Sequence, residues 1–272
     1  EIGQLKQGFI SRVFDYFNKR ALYRANLIVS LGVSMRDRLK AKGVPEERIR
    51  IIPHWVDTSA IRPISKKDNY FLQKFGLTNK FIVMYSGNIG LSQDFSSILK
   101  SIALLEDPSS FYLVFIGEGS GKEALKNEAQ SLGLKNVLFL IYQPQDKLSF
   151  SLGMADLHLV LLKKGMAGAS VPSKVYGIMA AGRAYLAISD KESEPARLYA
   201  EFGCGLWAAP QDTKAITKVI SWALNHPDEL EKMGERGRRI SETRFDKEVV
   251  IKEWFLTLDN LLKDLSKDNK KK

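Results

Sequence analysis

The sequence is poor in the residues that build covalent or metal-held frameworks. Its 272 residues include one cysteine, Cys204, and three histidines, at positions 54, 158 and 226. One cysteine excludes an internal disulfide framework, and three scattered histidines lack the spacing of a metal site. No apolar run approaches the roughly 20 residues of a membrane-spanning helix, and no signal peptide is visible. We therefore expect a protein of a reducing compartment that holds no metal ion.

Positive charge is in excess over negative charge. Lys and Arg number 41 against 31 Asp and Glu, which gives a formal net charge of +10. Part of the excess lies in the tail SKDNKKK, residues 266–272, which we expect to be solvated and frayed. The remainder could face nucleic acid, anionic lipid or a phosphorylated ligand. Because no nucleic-acid motif is present and the aromatic residues do not interleave with the basic ones, we expect no nucleic-acid partner.

Short apolar runs alternate with helical patterns along the chain. Eight runs predict strands, at 26–31, 48–53, 81–86, 111–116, 136–141, 157–162, 184–189 and 205–209. They are continuously apolar rather than alternating, which is typical of parallel strands buried on both faces. Glycines stand where several of the intervening helices should stop, at 43, 133, 182 and 203. The pattern predicts a doubly wound α/β protein.

Residues 53–70 interrupt this alternation with two prolines, several charges and no clear period. We interpret them as the connection between two sheets. Residues 1–55 then form the last part of one Rossmann-like domain, beginning with an amphipathic helix at about 6–24, and residues 56–245 form a complete second domain. Residues 246–272 hold a last helix, whose apolar stripe needs a partner, and the basic tail. Because the chain starts without methionine, we expect it to be a fragment.

Ligands of such sheets bind beyond the carboxyl ends of the strands. The loops there collect glycines, lysines, carboxylates and hydroxyls, at 87–94, 117–121, 142–146, 163–173 and 190–194. Gly87 and Gly90 permit close backbone approach, either by an anion at the following helix or simply in a tight turn. The loop GEGSG at 117–121 fits neither a Walker loop nor a dinucleotide fingerprint, and we interpret it as a close strand-to-helix turn.

A serine and a lysine open the helix of VPSKVYGIMAAG, residues 171–182. Ser173, after Pro172, is placed to cap the helix. A cation in the first turn opposes the helix dipole, and a bound anion would reverse that penalty, so Lys174 points to a phosphate. The alternative is a lysine whose amine reaches solvent past apolar neighbours.

Other polar and aromatic residues carry weaker signals. Glu194 stands at a helix start, where its carboxylate could accept hydrogen bonds from sugar or ribose hydroxyls or simply stabilise the helix. His158 and Cys204 lie in apolar surroundings and are predicted to be packed core residues. His54 and Trp55 lie in the connection between the sheets, and we expect them to fix the hinge.

Four segments, in this order and spacing, resemble a known family. They are GVPEERIRIIPHWVDTSAIRP, YSGNIGLSQDFSSILKSIALL, VPSKVYGIMAAGRAYLAIS and EPARLYAEFGCGLWAAPQD. Together they are similar to the retaining, nucleotide-sugar-dependent glycosyltransferases of family 4, the glycosyl transferases group 1, whose GT-B fold has two facing Rossmann-like domains. The likeness covers about residues 20–245 and is nearest to the colanic-acid and lipopolysaccharide type of bacterial polysaccharide biosynthesis.

The resemblance implies transfer of a sugar from a UDP- or GDP-linked donor to a saccharide or polyprenyl-linked acceptor. It implies a cytoplasmic enzyme, with peripheral contact at the inner face of the membrane, and no metal or other cofactor. Lys174 would be catalytic by stabilising charge on the leaving diphosphate. The glycine loop would lie against the diphosphate, the 142–144 loop beside the base and Glu194 on hydroxyls. The residues expected to bind the donor are Gly87, Asn88, Gly90, Gln93, Tyr142, Pro144, Ser173, Lys174 and Glu194.

The sequence also departs from the family pattern. Asn88 and Gln93 stand where many members carry Arg and Lys. Ala169 and Gly177 stand where many carry two glutamates, the second of which holds the ribose. Asp94 replaces a glycine, and we expect it to weaken anion binding if it faces the site.

These departures leave other hypotheses open. One is a catalytically degenerate nucleotide-sugar-binding or scaffolding module of the same fold. Another is a nucleotide-sugar epimerase of the same fold, which needs catalytic carboxylates and a histidine that we do not find. The resemblance places the start of the chain near the last third of the family's N-terminal domain, so we expect the isolated chain to transfer sugar poorly.

The first helix, apolar at Phe9, Val13, Phe14, Phe17 and Leu22, either contacts a membrane or packs within that domain.

Overall fold

The computed structural model describes residues 9–90, 93–107 and 109–269. Within them, eight strands form two separate parallel sheets, so the predicted α/β class is confirmed. Each predicted strand is present, shortened by at most two residues at either end. The strands are β1 (Ile28–Ser30), β2 (Ile49–Ile51), β3 (Phe81–Ser86), β4 (Phe111–Ile116), β5 (Val137–Leu140), β6 (Leu157–Leu161), β7 (Ala184–Ile188) and β8 (Gly205–Ala208).

Helices separate the strands and close the chain. A π-helical turn, Ser241–Phe245, joins the last two. The helices of the described residues are α1 (Phe9–Arg24), α2 (Val33–Ala41), α3 (Tyr70–Lys74), α4 (Phe95–Ala103), α5 (Lys122–Ser131), α6 (Leu148–Leu152), α7 (Lys174–Ala180), α8 (Glu194–Phe202), α9 (Thr213–Asn225), α10 (Pro227–Ile240) and α11 (Lys247–Asn269).

The large sheet has the strand order β5-β4-β3-β6-β7-β8, with every pair parallel. The chain runs outward from β3 to β5 and then returns to begin again at β6. Adjacent β3 and β6 are therefore the point at which the strand order reverses, and ligands of open α/β sheets bind in the crevice at such a point. The loops that follow β3 and β6 lie side by side there.

The small sheet pairs β1 with β2, and Ile28 lies opposite Ile49. Val56, just after this sheet, forms a parallel bridge with Asp246 at the start of α11. The Val56 backbone N–H donates to the Phe245 carbonyl, and the Lys247 N–H donates to the Val56 carbonyl, each at 2.9 Å. The predicted boundaries at 55/56 and 245/246 thus fall where the connection crosses the last helix.

Two apolar layers cover the large sheet. One packs α4, α5 and α9 on side chains such as Val83, Leu113 and Leu159. The other packs α7 and Val56 on Val160, Tyr185 and Ala187. Because both faces are covered, the strands are apolar at nearly every position, as the sequence pattern predicted.

The predicted helix stops are confirmed. Gly43, Gly133, Gly182 and Gly203 all have positive φ, between +58° and +87°, which glycine adopts without the Cβ penalty. A 3₁₀ turn at Gln145–Lys147 precedes the short α6. One other prediction was wrong. Residues 266–269 are helical rather than frayed, since α11 extends to Asn269; residues 270–272 lie outside the described part.

The first and last helices leave apolar side chains exposed. On α1, Phe14 and Phe17 are more than half exposed, and on α11 so are Phe255 and Leu262. Of the predicted first helix, the side chain of Phe9 and residues 6–8 lie outside what the structure describes. No helix of the described residues combines the length and apolarity that crossing a bilayer requires.

Candidate functional site

A cavity of about 620 Å³ opens at the switch point between β3 and β6. One wall is polar and comes from the loops after these strands, and the other is apolar and comes from α6, α7 and the connection. The described residues that line it are Trp55, Val56, Ile61, Tyr85, Ser86, Gly87, Asn88, Gln93, Leu148, Leu152, Leu161, Leu162, Ser170, Val171, Pro172, Ser173, Lys174, Gly177 and Ile178.

Lys174 is the only basic residue among the described lining residues. Its Nζ lies 3.7 Å from the centroid of the Tyr85 ring, in cation–π contact, and has no carboxylate within ion-pair distance in the described chain. The amine is largely enclosed, and this burial lowers its pKa from 10.5 to about 7. The first turn of α7 therefore carries an amine without a carboxylate partner in the described chain. A bound anion would stabilise the charged form of this amine.

Gly87 lies directly against this amine. It has φ of +143°, and a Cβ built on it would stand 2.7 Å from Lys174 Nζ. The sequence predicted close approach at Gly87, and the approaching group is the Lys174 amine. A side chain here would both strain the backbone and displace the amine.

Side chains of β3 and of the loop itself hydrogen-bond to the backbone of the glycine loop. The Gly90 N–H donates to Gln93 Oε1 at 3.1 Å, and the Tyr85 hydroxyl donates to the Asn88 carbonyl at 2.8 Å. Asn88 and Gln93 line the cavity, whereas Gly90 is buried behind it. Asp94 accepts from the Ser97 N–H and hydroxyl, so its carboxylate caps α4.

Ser173 is exposed and lines the cavity. It occupies the N-cap position of α7, but its hydroxyl makes no capping hydrogen bond, so the prediction of a side-chain cap was wrong. The hydroxyl and the Lys174 amine are adjacent and open to the same space.

Tyr142 and Pro144 follow β5, which is separated by β4 and β3 from β6, the strand that precedes Lys174. Tyr142 is half exposed, and its ring carbon Cε1 lies 3.5 Å from where a Cβ of Gly117 would be. Gly117 in turn packs on the Gly87 carbonyl. Tyr142 thus flanks the same edge of the sheet without lining the cavity, and Pro144 begins the following 3₁₀ turn.

Glu194 is not in the cavity. It is only 9% exposed and packs against Gly32, with one carboxylate oxygen accepting from the Val33 N–H at the start of α2. Its Oε2 is buried without a partner, and burial raises the pKa of the carboxyl above its usual 4.5. Glu194 therefore lies outside the cavity that Lys174 lines, and its contact with ligand hydroxyls stays a prediction.

The position of the family's second glutamate has an apolar environment. A Cβ on Gly177 would stand 3.6 Å from Leu152 Cδ1 and 3.9 Å from Ile61 Cδ1. No acidic residue is among the described lining residues. The cavity therefore combines one positively charged corner with a largely apolar wall.

Several residues have the structural roles expected for them. His158 is fully buried, its Nε2 lies 2.9 Å from the Leu152 carbonyl, and burial lowers its pKa to about 3. Cys204 is fully buried, and burial raises the pKa of its thiol to about 11. No cluster of three or more His, Cys, Asp or Glu side chains suited to a metal ion lies within the described ranges.

Trp55 was expected to fix the hinge and was not predicted to line a ligand cavity. The structure places its indole on the cavity wall, 52% exposed, rather than inside the hinge. The sequence feature that could have indicated this role is a tryptophan near the start of the connection at residues 53–70.

A larger hollow, of about 880 Å³, lies at the amino ends of β6 and β7, where Lys66 pairs with Asp156 and Arg183 donates to backbone carbonyls.

The fold and the site identify the class of protein. The model of the family Glycosyl transferases group 1 matches residues 67–240, more than half of the chain. The chain belongs to this family. The match spans all of β3–β8 and the cavity residues from Tyr85 onward, whereas the lining residues Trp55, Val56 and Ile61 precede it.

Similar proteins agree with this assignment. WcaI of Escherichia coli (strain K12), named as a colanic acid biosynthesis glycosyl transferase, is 29% identical over 255 residues, which are 93% of this chain and 61% of WcaI. WbjE of Pseudomonas aeruginosa, named as a glycosyltransferase, is 29% identical over 196 residues, which are 72% of this chain and 49% of WbjE. The chain thus spans 61% of WcaI and 49% of WbjE, less than two thirds of either relative.

Solved structures share the fold. HepE of Anabaena, solved in complex with UDP-glucose, has a TM-score of 0.77 at 17% identity, covering 92% of this chain and 69% of HepE. WaaG, described as a glycosyltransferase involved in lipopolysaccharide biosynthesis, has a TM-score of 0.67 at 19% identity, covering 91% of this chain and 69% of WaaG. The predicted GT-B fold is confirmed.

Proposed function

We propose that this chain is the donor-binding part of a glycosyltransferase of cell-surface polysaccharide biosynthesis. It transfers a sugar from a UDP- or GDP-linked donor to a saccharide or polyprenyl-linked acceptor. Family membership supports the reaction class, and the names of WcaI and WaaG support the pathway class. HepE, with the same fold, was solved with UDP-glucose, which supports a nucleotide-sugar donor.

The observation that carries the proposal is the Lys174 amine. It is an unpaired amine at a helix start, enclosed in a cavity and pressed against a glycine. A diphosphate in this corner would restore full charge to the amine and meet the N-terminal end of α7. The adjacent Ser173 hydroxyl can donate to a second phosphate oxygen.

The same amine can assist the chemistry. When the bond between the anomeric carbon and the phosphate oxygen breaks, negative charge grows on the departing diphosphate. An ammonium group already fixed in a cavity of low polarity stabilises that charge with little reorganisation. We propose that the reaction retains the configuration at the anomeric carbon, as the family resemblance implies, and that donor binding needs no metal ion. Nucleotide affinity should accordingly be unchanged by EDTA.

We propose a cytoplasmic enzyme that contacts the inner face of the membrane, and the composition of the first helix supports the membrane contact. Around its exposed aromatic residues, α1 carries Arg12, Lys19, Arg20 and Arg24 against the single acid Asp15. A basic amphipathic helix of this kind suits an anionic lipid surface. Co-sedimentation with anionic vesicles should fall when Phe14 and Phe17 are changed to Ser; equal sedimentation would contradict the contact.

The donor site is tested by calorimetric titration with UDP, GDP, UDP-glucose and GDP-mannose. We expect saturable binding of one nucleotide type, weakened at least about tenfold by Lys174→Ala because a charge-assisted contact is lost. Lys164→Ala is the matched control, since Lys164 lies in the same loop, is exposed and does not line the cavity. A chain that unfolds cooperatively yet binds none of the four would contradict the proposal and favour a scaffolding module.

A further inference from the structure

Trp55 is a large aromatic side chain that the fold leaves half exposed on the cavity wall. Its indole is 52% exposed. Within the described chain it makes no ring contact, and its N–H has no hydrogen-bond acceptor. Its exposure alone is not unusual, but its place on the wall of the cavity that holds Lys174 gives the flat, apolar indole a ligand to meet.

The neighbours of Trp55 hold it in this position. The His54 ring packs edge-on against Tyr176, with 6.1 Å between centroids, and Val56 is buried in the core layer with Val171. Hydrogen bonds fix the Val56 backbone to Phe245 and Lys247. Because the residues on both sides are anchored, the backbone that carries the indole is fixed at the cavity before any ligand binds.

The position of Trp55 relative to the phosphate corner indicates what it meets. Trp55 and Lys174 both line the cavity, and Val56, which follows Trp55, belongs to the same core layer as Val171 and Val175 on either side of the start of α7. The indole therefore lies in the cavity that holds the amine. Tyr142, the expected neighbour of the base, follows β5, at the far edge of the sheet order. In a nucleotide sugar the transferred ring is bonded directly to the diphosphate, at the end opposite the base.

We propose that Trp55 is the platform on which the pyranose ring of the donor stacks, and that it determines which sugars bind. This inference rests on the proposed donor site. One face of a pyranose ring presents C–H groups, which pack on the flat indole as apolar groups do on other aromatic rings. The indole N–H, free in this state, can donate to a ring hydroxyl.

Two variants separate this role from packing in the hinge. Trp55→Phe keeps an aromatic face, whereas Trp55→Leu keeps apolar volume without one. We expect Trp55→Leu to leave UDP or GDP affinity within about twofold and to weaken the matching nucleotide sugar by about tenfold, with Trp55→Phe in between. Phe255→Leu is the control, because Phe255 is an exposed aromatic on α11 that does not line the cavity.

A second readout reports stacking directly. Protons of a sugar on an indole face shift upfield in the NMR spectrum, and this shift should disappear in Trp55→Leu. Equal losses for nucleotide and nucleotide sugar, or no loss for either, would overturn the platform while leaving the donor site intact. If the folded wild-type chain binds no nucleotide at all, the proposed function fails first and the platform with it.

Discussion

Replacing Lys174 by methionine should make the ligand-free protein more stable while removing its donor site. The wild-type amine is enclosed among Tyr85, Gly87 and the start of α7, and its ion-pair partner is supplied only by a ligand. Methionine has a similar length and no charge to desolvate. The variant therefore measures how much the enclosed amine, proposed to bind phosphate, lowers the free energy of unfolding of the ligand-free protein.

The size of the effect follows from the pKa. The folded value is about 7 and the usual value is 10.5, so at pH 7 the shift corresponds to about 4 kcal/mol of destabilisation. Partial exposure and loss of the cation–π contact with Tyr85 reduce what methionine recovers, and we expect a gain of about 2 kcal/mol. Between pH 7 and 10.5 the unfolded chain binds more protons at this site than the folded chain. Wild-type stability must therefore rise with pH across this window.

Urea denaturation at pH 7 and pH 9.5 measures both quantities. Lys174→Met should exceed the wild-type free energy of unfolding at pH 7 and should lack the part of the pH-dependent rise that the amine causes. Lys164→Met is the control, since it removes an exposed lysine from the same loop. If Lys174→Met is no more stable than the wild type at pH 7, the amine is solvated and the reasoning about its charge is wrong.

Three further outcomes follow from the same geometry. Gly87→Ala should weaken UDP or GDP binding about tenfold by displacing the Lys174 amine, whereas Gly165→Ala, at φ +80° in open space, should carry backbone strain without affecting calorimetric affinity. Gly32→Ala should cost about 1–3 kcal/mol in urea denaturation, because its Cβ would overlap the Glu194 carboxylate; an unchanged midpoint would contradict that packing. Nucleotide affinity should fall as pH rises from 7 to 9, since the amine loses its proton in the free protein; a flat profile would count against Lys174 as the anion site.

The sequence was most informative where structure is local. Strands β3 and β4 were predicted to the residue, because a continuous apolar run of six residues is typical of a strand that is buried on both faces of a parallel sheet. Gly87 and Lys174 were predicted to share a site because both follow strands of one edge. The place of Glu194 outside the cavity could not be predicted, because its environment is set by Gly32 at the start of α2, a contact that no spacing in the sequence encodes.

The departures from the family pattern also gain a physical meaning. Gln93 and Asp94, which replace or adjoin expected phosphate-binding positions, are used to fix the loop and to cap α4. These hydrogen bonds fix the backbone of the loop, but its sequence, GNIGLSQD, contains no lysine or arginine. If Lys174 binds the diphosphate as proposed, compensation of its charge depends on an amine that, unlike a guanidinium, gains and loses its proton near neutral pH. Under this proposal donor affinity falls as the amine loses its proton, so pH becomes a variable of donor affinity.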